Sequence, residues 1–149
     1  IEFFRDEGHR AGTFFTLGEV AARRPSVVRR IASEGHELAC HGDRHEDVHR
    51  QSPREFRADI RRAKGRIEDL IGDPVIGYRA PNWETSYALP GLLARHGFRY
   101  DTGLMDADHP YRLAVGSEPG AATLKPSSRR SDVRWCCSAS TSVGAMNAP

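Results

Sequence analysis

The chain has 149 residues, enough for one domain with its own hydrophobic core. Its 38% hydrophobic and 28% charged residues fit a soluble globular protein, and a net charge of only +2 argues against nucleic acid or an anionic membrane as a partner. No apolar run reaches the roughly 18 residues that a membrane span needs.

Along the chain, Ile1 to Phe4 followed by Arg5-Asp6-Glu7-Gly8 predicts the end of a helix at a glycine cap. Thr13-Phe14-Phe15-Thr16-Leu17 is β-branched and aromatic, hence a buried strand. Gly18 to Arg24 predicts a short helix. Pro25 opens another, with Val27, Val28 and Ile31 as its apolar stripe up to Gly35. Glu37 to Cys40 predicts a second strand. Ser52-Pro53-Arg54-Glu55 is a capping box, and Phe56, Ile60, Ala63, Ile67, Leu70 and Ile71 recur at helical spacing down to Gly72. Pro74 to Tyr78 predicts a strand. A helix then runs through Leu89, Leu92 and Leu93 to Gly97, and Phe98-Arg99-Tyr100 predicts one more strand.

Strict alternation of helix and strand, with connections of this length, predicts an α/β fold with a parallel sheet and helices packed outside it. Ligands in such folds gather at the C-terminal ends of the strands. Two polar motifs fall there, after Cys40 and after Tyr78. The pattern stops near residue 115. From 116 to 149 no period continues and serine is frequent, which predicts a tail that is disordered or the product of a reading-frame shift near residues 120–126. Cysteines at 40, 136 and 137 are odd in number and two are adjacent, so they form no disulfide framework. No signal-peptide pattern is visible, which favours the cytoplasm. The chain nevertheless enters mid-pattern at Ile1, so a longer protein is expected.

His41-Gly42-Asp43-Arg44-His45 follows directly on the Glu37–Cys40 strand. Two histidines four apart where a strand ends can aim both imidazoles at one point and hold a transition metal with positions left open. The spacing is also common by chance, and it supplies only two ligands. His36 and His49 read as a structural turn residue and a solvent-facing one, and His9, His96 and His109 show no partner spacing. In Arg79-Ala80-Pro81-Asn82-Trp83, the arginine can clamp a carboxylate, Pro81 stiffens the loop and Trp83 offers a flat wall on which sugars stack. A surface loop with a packed tryptophan is the plain alternative. The paired arginines Arg61-Arg62 read as a solvated helix face.

Gly12-Thr13-Phe14-Phe15, the stretch Gly35 to His45, Gly77 to Trp83, and Gly97 to Met105 carry a family resemblance in that order. The chain resembles the polysaccharide deacetylases, the NodB-homology family of carbohydrate esterases, over residues 1–115. Tyr100 to Leu113 is similar to the branch with peptidoglycan-deacetylase-like and allantoinase-like members. The resemblance implies a distorted (β/α) barrel of seven strands, of which this chain offers about four. It implies hydrolysis of non-peptide amide bonds, N-acetyl groups of amino sugars above all. It also implies a divalent metal, usually zinc, held by one Asp and two His, with His41 and His45 as the histidines. Arg79 corresponds to the arginine that orients the catalytic base. Pro81 and Trp83 correspond to the substrate groove, whose aromatic wall Trp83 matches.

The family's paired acidic residues, which supply the base and the third ligand, have no match here, nor do the late Asp-Trp and Leu-x-His motifs. The expectation is a fragment that is inactive as given. Weak zinc binding through His41 and His45, with Asp43 or solvent completing the sphere, stays open. The alternatives are an allantoinase-like or cyclic-imide hydrolase, a non-catalytic glycan-binding module, and a product without function.

Overall fold

The computed structural model describes residues 11–86 and 88–103, together with the backbone of two short strands at 111–112 and 134–135. The helix end expected before Gly8 and the boundary expected at 115/116 lie outside the described residues. Four strands form one parallel sheet in the order β1 (Thr13–Thr16), β2 (Glu37–Cys40), β3 (Gly77–Tyr78), β4 (Tyr100–Asp101). Register pairs Thr16 with Cys40, Cys40 with Tyr78 and Tyr78 with Asp101, so these four side chains share one face. Four helices connect the strands: α1 (Gly18–Arg23), α2 (Pro25–Ser33), α3 (Pro53–Ile71) and α4 (Leu89–Arg95). Strands β5 (Tyr111–Arg112) and β6 (Arg134–Trp135) pair antiparallel in a second sheet. β6 therefore places one short paired segment inside the stretch that the sequence predicts to be aperiodic. Among the described residues no helix is long and apolar enough to cross a membrane.

The longest helix shows why the sequence folds this way. The Ser52 hydroxyl accepts from the Glu55 amide, and the Glu55 carboxylate accepts from the Ser52 amide, which satisfies two otherwise orphaned donors. Gly72 ends α3 in the left-handed conformation at φ 75°. Between these ends Phe56, Ile60, Ala63 and Ile67 are buried against the sheet. Each large apolar side chain on this face contributes about 1.5–3 kcal/mol of burial. Tyr78 meets Phe56 edge-on at 6.1 Å and Phe98 at 5.6 Å, which places the aromatic centre of the core among β3, α3 and the turn that closes α4.

Three expectations are corrected. Val27 stays 47% exposed, because the buried stripe of α2 is Val28 and Ile31, and Val27 lies about 100° away around the helix. The strand expected over Pro74–Tyr78 shrinks to Gly77–Tyr78. Val75 is buried, but its amide donates to Glu68 Oε1 at 2.8 Å and its carbonyl accepts from Lys64 Nζ, so side chains of α3 take groups that a ladder would use. The last strand begins at Tyr100, because the Phe98 amide still donates to the Leu93 carbonyl at 3.1 Å as part of the end of α4.

Candidate metal centre

β2 delivers His41, and the loop behind it turns sharply. Gly42 takes φ 81°, and a methyl group there would come within 3.1 Å of Asp59 Oδ2. His45 takes φ 60°, a conformation that costs a non-glycine residue roughly 1–2 kcal/mol. The result is two imidazoles with centroids 5.0 Å apart and planes at 74°. Tetrahedral ligands at the usual Zn–N length of about 2.0–2.1 Å put imidazole centroids at about the same separation. His41 Nδ1 lies 2.8 Å from the Arg79 carbonyl oxygen. A carbonyl only accepts, so Nδ1 donates and the Nε2 lone pair is left for a metal. Burial, aided by the charges of His45 and Arg79, pushes His41 below the ordinary histidine pKa and favours the neutral, ligating form. The pair therefore fits two positions of a divalent-metal site. Among the described residues no third His, Cys, Asp or Glu joins them.

Asp43 is not that third ligand, although it lies between the histidines. Its carboxylate is buried and bound on both oxygens, by Arg66 Nη1 at 2.7 Å and Arg62 Nε at 3.0 Å, both from α3. The Cys40 thiol also faces the core, and burial pushes its pKa up to about 12, so it supplies no thiolate.

The second loop follows β3. Arg79 is stacked between two rings, its guanidinium carbon 4.0 Å from the Phe15 centroid and 4.4 Å from that of Trp83. Arg79 Nε donates to Thr102 Oγ1 at 2.7 Å. Its other guanidinium nitrogens have no hydrogen-bond partner among the described residues, and they remain available to an anion. One residue thus orients His41 through its carbonyl and presents a cation through its side chain. Asn82 and Trp83 take φ 55° and 60°. With His45 these are all the positive-φ non-glycine residues described, and all three belong to the two candidate loops. The loops are tied together by hydrogen bonds from Asn82 Nδ2 to Asp47 and from the His49 amide to Glu84.

Trp83 stands 39% exposed beside this site, whereas Pro81 is fully buried beneath it and faces the Gly42 position. The expectation that Pro81 touches substrate is therefore corrected. A ring packed under the His41 loop shapes that loop and leaves the contact surface to Trp83. Sequence reasoning missed Phe15, Thr102 and the buried Asp101. Phe15 was legible only as a strand residue. Asp101 and Thr102 carried a weak signal, because they are polar residues at the C-terminal end of a strand, where ligands gather in a parallel sheet.

His41, His45, Arg79 and Trp83 thus come together at the C-terminal ends of β2 and β3, each on the motif that carries the family resemblance. Comparison with known proteins bears on the same stretch. A family profile described as polysaccharide deacetylase matches residues 2–100. The peptidoglycan deacetylase of Helicobacter pylori is 34% identical over 72% of this chain and 37% of its own length. A Mycobacterium smegmatis protein, whose crystal structure carries a provisional polysaccharide deacetylase assignment, superposes with a TM-score of 0.71 at 44% identity, over 77% of this chain and 40% of that one. The crystal structure of an allantoinase superposes with a TM-score of 0.67 at 28% identity, over 84% of this chain and 39% of that one. The chain spans about two-fifths of the length of these relatives. With two-thirds of its residues matched by the family profile and the strand-end motifs assembled in one place, the chain belongs to the polysaccharide deacetylase family.

Proposed function

We propose that this chain is the metal-binding portion of a zinc-dependent hydrolase that removes N-acetyl groups from an amino-sugar polysaccharide. The observation that carries the reading is the pair of facing imidazoles, His41 and His45, with His41 fixed by the Arg79 carbonyl. A divalent ion held there would supply Lewis acidity toward an amide carbonyl and acidify a bound water. The chain's own residues do the rest of what these 149 residues can do. His41 stays neutral and oriented. Arg79 offers donors that can bind and orient a carboxylate base from elsewhere in the protein, and Trp83 offers an apolar wall against which a sugar ring can stack. The described residues place no carboxylate beside the histidines. The chain by itself is accordingly expected to bind zinc weakly and to release no acetate.

Zinc titration of the chain tests the metal site. Binding should weaken at least tenfold in His41→Ala and in His45→Ala, and affinity unchanged in both variants would overturn the assignment. Acetate release from N-acetylated glycan by the full-length protein tests the reaction.

A second reading is favoured by the allantoinase match, which covers more of this chain than the other two comparisons do. An allantoinase-like or cyclic-imide hydrolase would use the same two histidines. Ring opening of allantoin without acetate release from glycan would select it. Glycan affinity indifferent to a chelator would instead favour a binding module.

A further inference from the structure

The loop between the two histidines is held from outside the site by charged residues that the proposed chemistry does not use. The polar backbone groups at its apex are taken. The Gly18 amide donates to the Gly42 carbonyl at 3.0 Å and the Glu19 amide to the Asp43 carbonyl at 3.0 Å. The Asp43 amide donates to Asp59 Oδ2 at 2.9 Å. Asp59 is itself buried on the otherwise apolar face of α3, with Oδ1 3.7 Å from Arg62. The Asp43 side chain is 1% exposed, while its partners Arg62 and Arg66 are 49% and 41% exposed and reach in from the flank of α3. There is no slack between the layers. A methyl group on Gly18 would collide with Asp43 Oδ1 and stand 2.7 Å from the Ala63 backbone.

Burying a carboxylate is costly, and charges in such a place stabilise poorly compared with apolar packing. What two guanidiniums and a carboxylate add is direction, because each oxygen of Asp43 has one fixed donor. We infer that Asp43, Asp59, Arg62 and Arg66 are positioning residues: the charged cluster on α3 fixes the loop whose ends are His41 and His45, and so sets the angle between the two metal-binding imidazoles. The inference rests on the metal-site reading above.

The test uses the full 149-residue chain carrying Arg66→Met, Arg62→Met, Asp59→Asn or Asp43→Asn, with Arg66→Lys as the conservative variant and Arg57→Met, exposed on the same helix, as the control. Two quantities are read: the imidazole nitrogen–proton spectra of His41 and His45, and the affinity for Zn²⁺ alone. In the parent chain His41 should show a single tautomer with the proton on Nδ1. In Arg66→Met and Asp59→Asn the His41 and His45 signals should broaden or average between tautomers, and zinc affinity should fall about 10–100-fold. Arg66→Lys should recover part of both, and Arg57→Met should change neither. Variants with a native amide spectrum, unchanged imidazole spectra and unchanged zinc affinity would overturn the inference and leave a purely stabilising cluster. If Asp43→Asn does not fold, the single arginine variants decide, since each leaves one guanidinium on Asp43. If the parent chain binds no zinc through these histidines, the metal reading fails, while the imidazole spectra still decide whether the cluster orients them.

Discussion

Asp101 shows how far a residue's role can depend on where its neighbours put it. At the end of β4 its side chain is fully buried beside Tyr78, on the face toward the helices. Oδ1 accepts from the Gly103 amide at 2.8 Å, and Oδ2 has no hydrogen-bond partner among the described residues. Burial raises its pKa to about 7, against the pull of the Gly103 amide and the Arg79 charge. In an unfolded chain the same carboxyl titrates near about 4. Between these values the folded state holds the extra proton, so stability from this group is full below about pH 4 and is lost as pH rises through about 7. Urea unfolding at a series of pH values should therefore show stability falling from about pH 4 to 7, with the slope reduced in Asp101→Asn. An identical slope in the variant would mean the carboxyl is ionised throughout. Thr102, next along the chain, holds Arg79 Nε, so the turn that Asp101 pins also fixes one side of the candidate site.

At the scale of the element, α3 does two jobs with two faces. Its apolar stripe was legible because spacings of three and four are a local property of a 3.6-residue helix, and so was its start, because a capping box needs only residues within one turn. Loss of the cap in Ser52→Ala should cost about 1 kcal/mol, and Ile67→Ala, which opens a cavity under the sheet, about 2–5 kcal/mol. Denaturant melts of the two variants should keep that order. The reverse order would mean that the helix end, rather than its packed face, limits stability. On the charged edge of the same helix, the sequence reads the paired arginines Arg61-Arg62 as a solvated face. For Arg61 that reading stands, since it lies exposed, and its charge and that of the exposed Arg57 depress the His96 pKa after burial does. For Arg62 it fails, because its guanidinium, together with that of Arg66, is drawn to a buried carboxylate 19 and 23 residues earlier in the chain, respectively. The shortened β3 has the same kind of cause: Lys64 and Glu68 of α3 intercept the backbone of Val75.

The molecule as a whole puts its core and its chemistry in different places. Phe56, Tyr78 and Phe98 pack between the sheet and α3, while His41, His45, Arg79 and Trp83 gather at the C-terminal strand ends. Neither His41 nor His45 belongs to that core, so a metal held by them is expected to stand outside the ties that fold the chain. A chelator should therefore leave the far-ultraviolet circular dichroism and the melting temperature of the chain unchanged, and a fall of more than a few degrees would place the metal among the structural ties. The sequence by itself determined the parallel α/β order, the helix ends and the histidine pair after β2, because alternation, capping and spacing are written within a few residues of one another. The tertiary structure alone decided that Asp43 turns away to α3, that Pro81 is buried under the loop, and that Arg79 lies between Phe15 and Trp83. Apart from the neighbouring Trp83, those contacts join residues 16 to 64 positions apart, and only the packing of helices on the sheet brings them within reach.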